Sequence, residues 1–166
     1  GHNVSEIGEY VFGNCTSLVD VEIKCAMPGI VDGMFYGCTS LKSLKNLPAG
    51  IKTIGEYAFA KCTAFEEITL PISLETIGNN AFDSTVITTI AIPSSVKEIA
   101  AGAFTSCNKL TAINVDYNNL VYASVDGVLY DIALDTLITC PAGKTGAYKV
   151  YDGTSKINDG AFIGCA

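Results

Sequence analysis

Seven cysteines are the largest stock of reactive side chains in this chain, and five of them recur at one fixed place. Cys15, Cys38, Cys62, Cys107 and Cys165 each stand three residues after a phenylalanine. A thiol becomes a working nucleophile only when a base or a positive charge stabilises its thiolate. The sole histidine is His2, at the extreme N-terminus, so no Cys–His or Ser–His pair can be assembled around it. Cys25 and Cys140 lie off the repeated position and have no base of their own. Metal chelation is equally poorly served, with no Cys-x-x-Cys pair and one histidine. Asp116-Tyr117-Asn118 offers too few oxygens for a calcium loop. Pro141-Ala142-Gly143-Lys144-Thr145-Gly146 looks like the tail of a phosphate-binding loop, but Ile138 stands where that motif needs glycine, and no helix pattern follows. The adjacent Glu66 and Glu67 read as a solvated face. Asn3-Val4-Ser5 and Asn14-Cys15-Thr16 fit a glycosylation sequon, which matters only in a eukaryotic secretory pathway. These residues assign no catalytic group, no metal site and no cofactor.

What positions the cysteines is a repeat. Phe12, Phe35, Phe59, Phe82 and Phe104 follow one another at 23, 24, 23 and 22 residues, and Phe162 repeats their context. Each has isoleucine five residues earlier: Ile7, Ile30, Ile54, Ile77, Ile99 and Ile157. A period this close to 23 implies one supersecondary unit stacked on copies of itself, which is a solenoid. The thiols then form a column of small apolar groups whose S–H donors can serve turn carbonyls. Free, buried thiols follow, in keeping with a reducing or anaerobic setting.

Within the unit, Ile68-Thr69-Leu70 and Ile90-Ala91-Ile92 alternate core and non-core positions, which predicts a short strand ended by Pro71 or Pro93. Gly55 to Phe59 lacks alternation and predicts a tight helical turn with Phe59 as the plug of its layer. From Phe82 to Ile90 is eight residues where Phe59 to Ile68 is nine; the missing residue falls at the cysteine, and Thr85 stands near its place. Residues 4–115 hold the regular repeats. An excursion over about 116–147 carries two β-prone runs around Asp126-Gly127, a hairpin signal, and the pattern resumes over 148–166. The expected architecture for 1–166 is a single α/β repeat domain: a right-handed solenoid with a parallel sheet on one face, short helical turns and an inserted β-hairpin. The chain opens and stops inside repeats without polar caps, which implies a piece of a longer array or end-to-end pairing.

Composition narrows the function classes. Charged residues make up 16%, against about 25% in a typical domain. Ten basic residues face 17 acidic ones, giving a net charge of −7 that opposes nucleic acid and anionic membrane surfaces. No run of about 20 apolar residues spans a membrane.

The pattern carried by Ile54-Gly55, Ala58-Phe59, Cys62, Ile68 and Leu70-Pro71, echoed in every unit, resembles the BspA-like class of leucine-rich repeats. Asp126-Gly127-Val128-Leu129-Tyr130 with Leu137–Pro141 and Gly143-Lys144 resembles an insertion that recurs in the same class. The resemblance implies surface or secreted proteins, mostly of host-associated bacteria, that bind host matrix or serum proteins or other cells. It brings no catalytic residues.

The expected function is therefore a non-enzymatic binding or adhesion module at the cell surface or outside the cell. Its partner is a protein, with a glycan second and nucleic acid excluded. The side chains expected to point outward from the sheet are Asp20, Glu22, Lys45, Glu67, Thr69, Thr89, Ala91 and Asn114. Tyr130 joins them from the excursion; five of the eight tyrosines fall between Tyr117 and Tyr151. The rival readings are a structural spacer and a carbohydrate-binding accessory module.

Overall fold

The computed structural model describes residue 4, residues 6–45 and residues 47–165, with the side chain of Lys45 outside that set. The chain winds as a β-solenoid of about six turns. Every regular element among the described residues is a strand. The first nine are β1 (Asp20–Glu22), β2 (Gly29–Ile30), β3 (Ser43–Lys45), β4 (Thr53–Ile54), β5 (Glu67–Ile68), β6 (Thr76–Ile77), β7 (Thr89–Ile92), β8 (Glu98–Ile99) and β9 (Ala112–Val115). The last four are β10 (Tyr122–Val125), β11 (Val128–Asp131), β12 (Thr136–Thr139) and β13 (Lys156–Ile157).

The odd-numbered strands make the expected sheet face: β1, β3 and β5 pair in parallel, and β7 pairs with β9. A second parallel ladder, β2-β4-β6-β8, runs up another face and was not read from the sequence. Its inward residues are Ile30, Ile54, Ile77 and Ile99, held in register turn upon turn. Its strands are two residues long, so a period of two has no room to show itself in the sequence.

The helical turns do not form. In the unit after Ile54, Tyr57 and Lys61 sit in the left-handed region at φ 54° and 59°. The same two places are left-handed in neighbouring turns, at Gly33 and Gly37 and at Asn80 and Ser84. A left-handed residue every fourth position aims alternate N–H groups along the stack. Tyr57, Phe59 and Lys61 donate to Asn79, Ala81 and Asp83 of the next turn at 2.7–3.0 Å. Ala58, Ala60 and Cys62 instead close tight turns onto Gly55, Tyr57 and Phe59. Only half of the amides serve their own turn, so the turn is bonded like a ladder and not like a helix.

The plugs stack as read. Ring centroids lie 5.4 Å apart for Phe12–Phe35, 5.5 Å for Phe35–Phe59, 5.4 Å for Phe59–Phe82 and 5.7 Å for Phe82–Phe104, with interplanar angles of 11° or less. Phe65 packs on Phe59 at 4.8 Å. Beside the column, Cys38, Cys62 and Cys107 donate to the carbonyls of Phe12, Phe35 and Phe82 at 3.0, 2.9 and 3.0 Å. All seven thiols are free. Burial pushes Cys62 up to about 12 and Cys107 up to about 11, so both are inert thiols. The column is not uniformly buried: Cys15 is exposed and Cys165 half-buried, since each lies on an outermost turn of this chain.

Thr85 takes the missing cysteine's place, three residues after Phe82, but bonds within its own turn where the column thiols bond to the previous plug. Its hydroxyl donates to the Phe82 carbonyl at 2.9 Å and lies 3.4 Å from the Cys107 sulfur. In the excursion, β10 and β11 form the expected hairpin, with Asp126 and Gly127 both left-handed at φ 50° and 76°. β12 pairs antiparallel with β11 and parallel with β13, which returns the chain to the stack. Buried Asn119 holds the entrance: its amide donates to the Pro93 and Val96 carbonyls, and its oxygen accepts from the Val121 and Tyr122 N–H groups.

Phe59 has rings above, below and beside it and no exposed surface. Phe59→Ala is expected to cost about 3–5 kcal/mol, read as a shift in denaturant midpoint. Native-state alkylation should be slow at Cys38, Cys62 and Cys107 and fast at Cys15; equal rates at all four would contradict the column.

Candidate binding face

The first sheet face carries the candidate site. Asp20, Glu22, Glu67, Thr69, Thr89, Ala91 and Asn114 are all exposed there, as their alternation with buried Leu44, Ile90, Ile92 and Ile113 requires. Register places Asp20, Ser43 and Glu67 in one column, with Glu22 opposite Lys45. The Lys45 side chain lies outside the described residues. Ser43 departs from its column by being 9% exposed. Beyond the break, Thr89 faces Ala112 and Ala91 faces Asn114.

That break is the face's main irregularity. Among the described residues no ladder pairing joins β5 to β7. Glu66 donates to Lys42 and Thr111 to Thr88 in the regular fashion, but between them Val86 donates to Phe65, two residues early. The cause is the shortened turn at Thr85, which leaves the chain one residue out of phase as it reaches β7. A depression lined by Glu66, Glu67, Thr69, Val86, Thr88 and Thr89 occupies the seam. Two others adjoin it along the face, and Ile68 and Thr69 line all three. The largest exposed apolar side chains of the rim stand at the strand ends: Ile72 at 88% exposure and Tyr117 at 92%, with Leu120 at 84% beyond. The sequence reading missed Ile72 as a surface residue. Its signal was positional: it follows Pro71 as Ser94 follows Pro93, at a place that never faces the core.

Electrostatically the face is acidic, through Asp20, Glu22, Glu66, Glu67 and Asp116, with Lys24 set 3.1 Å from Glu22. The second ladder's flank is balanced instead. Glu75 bridges Lys97 at 2.7 Å and Lys52 at 2.9 Å across three turns. Hydrogen bonds from Lys97 first, then Lys52, hold the Glu75 carboxyl down to about 2. These are exposed lysines, so salt screens the pairs.

Tyr130 is not a surface residue. It is fully buried, its hydroxyl 2.8 Å from that of Tyr148, and it accepts from the Tyr151 N–H at 3.4 Å. β11 lies between β10 and β12, and Val128, Leu129 and Tyr130 are all buried, so this strand has no free face. Burial, then the Tyr130 hydroxyl, pushes Tyr148 above the usual phenol range. The hydroxyl of Tyr122 accepts from the Ile99 N–H at 2.9 Å. Of the five tyrosines from Tyr117 to Tyr151, only those two are exposed. The loop resembling a phosphate cradle also packs. The Gly143 N–H donates to Leu110, with no room for a Cβ, and the Lys144 ammonium donates to the Asp126 carbonyl at 2.6 Å. No group of three or more His, Cys, Asp or Glu among the described residues is placed to hold a metal ion.

A family model for the BspA type leucine rich repeat region matches residues 1–111 and 29–140, with six copies of the unit. The chain belongs to this family. Three solved bacterial structures resemble it. A leucine rich cell surface protein from Faecalibacterium prausnitzii A2-165 is 29% identical, with a TM-score of 0.79 over 98% of this chain and 50% of its own. The pneumococcal vaccine antigen PcpA is 28% identical, with a TM-score of 0.72 over 87% of this chain and 34% of its own. A leucine-rich repeat protein from Eubacterium ventriosum ATCC 27560 shares the fold at 22% identity and a TM-score of 0.74, over 89% of this chain and 45% of its own. The chain thus spans half or less of the length of these relatives. No curated protein sequence matches it.

Two outcomes follow for this repeat array. Tyr130→Ala should destabilise by about 3–5 kcal/mol, as for any emptied aromatic site, and not leave the fold unchanged. Because the folded pKa of Glu75 lies below its unfolded value of about 4.3, its ion pairs stabilise the fold above that value. The contribution disappears as pH falls toward 2. A carbon-detected titration should show Glu75 ionising well below the other glutamates, and the gap should narrow in high salt.

Proposed function

We propose that this array is a non-enzymatic binding module at the cell surface or in secreted form, and that it takes a protein partner on its first sheet face. The observation that carries the reading is the seam between β5 and β7. Exposed Glu67, Thr69, Thr89 and Ala91 surround a depression there, and none of them has a packing duty. Ile72, in the adjoining depression, and Tyr117, beyond β9, supply exposed apolar area elsewhere on the face, which a monomer gains nothing by exposing. The acidic lining favours a partner with basic groups and disfavours polyanions. Family membership and the surface protein of Faecalibacterium prausnitzii support the location. The glycan reading is weakened, because Tyr122, Tyr130 and Tyr148 are engaged in hydrogen bonds and packing.

The test is capture of host matrix and serum proteins on immobilised array, followed by affinity measurement. Replacing Glu67 and Thr69 together by lysine should preserve the circular dichroism spectrum and melting temperature, and weaken binding by about tenfold or more, the loss expected of one interface hot spot. Tyr117→Ala should weaken it further. Full binding by a folded double variant would move the site elsewhere, and a failure to capture any protein would favour the spacer.

A further inference from the structure

We infer that Cys140 and Cys165 form a specific, oxidisable dithiol that staples the last turn to the excursion. The register of the backbone reveals the pair. In the regular turns the plug's N–H donates to the alanine before the next plug: Phe35 to Ala58 at 2.8 Å, Phe59 to Ala81 at 2.7 Å and Phe82 to Ala103 at 2.9 Å. The Cys140 N–H donates to Ala161 at 2.7 Å, directly before Phe162. Cys140 therefore occupies the plug position of its turn, although it lies off the repeated cysteine position in the sequence. Cys165 then approaches it as every column thiol approaches the previous plug, with its sulfur 3.7 Å from the Cys140 carbonyl. Elsewhere that approach ends at a phenyl-bearing residue. Here it brings two thiols together: both sulfurs reach the Pro141 carbonyl, at 3.9 and 3.5 Å.

The column cysteines do not share this arrangement. Cys38, Cys62 and Cys107 are turned to carbonyls in the interior. Cys165 is half-buried, so a small oxidant reaches it first. Attack of its thiolate on glutathione disulfide releases one glutathione and leaves a mixed disulfide. The Cys140 thiol, which burial holds protonated, loses its proton as it displaces the second glutathione. Two S–H bonds are exchanged for one S–S bond, and one glutathione disulfide is reduced to two glutathiones. Two sulfurs that reach one carbonyl can be drawn together by side-chain rotation, with the backbone already paired across the two turns.

The experiment uses the whole 166-residue chain carrying Cys15→Ser and Cys25→Ser to suppress intermolecular exchange. It is incubated in a glutathione redox buffer, denatured, alkylated and digested without reduction. A Cys140–Cys165 cross-linked peptide is expected, with the alkylatable thiols falling from five to three, reversal by dithiothreitol, and loss of the cross-link in Cys140→Ser and Cys165→Ser. A glutathione adduct that persists on Cys165, full alkylation of all remaining thiols, or a cross-link within the Cys38–Cys62–Cys107 column would each overturn the pairing.

Discussion

The stack of phenyl rings at 5.4–5.7 Å is the constraint on which the rest of this molecule depends. Paired strands in adjacent turns prefer a rise of about 4.7–4.9 Å, slightly less than the distance between plugs. Near-parallel rings at the wider spacing are offset from one another, which aromatic faces prefer to direct superposition. The plug backbone also carries the turn-to-turn bond of its layer, and its carbonyl receives the thiol of the next turn. One residue thus joins core filling, backbone pairing and thiol placement. Stability in such an array is a sum of neighbour terms, so each plug couples to two others and hardly beyond.

The parts of this design that were legible in the sequence are those where a residue type recurs at a fixed spacing. Phenylalanine, isoleucine and cysteine gave the period, the core column and the first sheet face, and Asp126-Gly127 gave the hairpin. Thr85 was legible as a stand-in because it keeps the place three residues after its phenylalanine. The outward residues from Asp20 to Asn114 followed from alternation alone.

What was not legible depends on neighbours in space. The second ladder hides because two-residue strands show no period. The absence of helix rests on left-handed residues such as Tyr57 and Lys61, whose types do not announce that conformation; Gly33, Gly37 and Asn80 at the same places did carry the signal. Tyr130 looked available because tyrosine suits both surfaces and cores, and only the third strand of the excursion decides between them. Cys140 looked like a stray, since its equivalence to a phenylalanine exists in hydrogen-bond register and not in residue type.

Core and face are not independent in this fold. Deleting one residue beside Phe82 leaves the core intact: Thr85 stays buried at the cysteine's place and satisfies its hydroxyl on the Phe82 carbonyl of its own turn. The irregularity shows just before the next strand, where Val86 donates to Phe65 and, among the described residues, no ladder pairing joins β5 to β7. The second ladder runs unbroken through the same turns, from β4 through β6 to β8, and keeps them stacked while the first face yields. A solenoid with two ladders can therefore hold its rise on one side and vary its surface on the other. That division explains how pairing can lapse midway along one face without the stack coming apart.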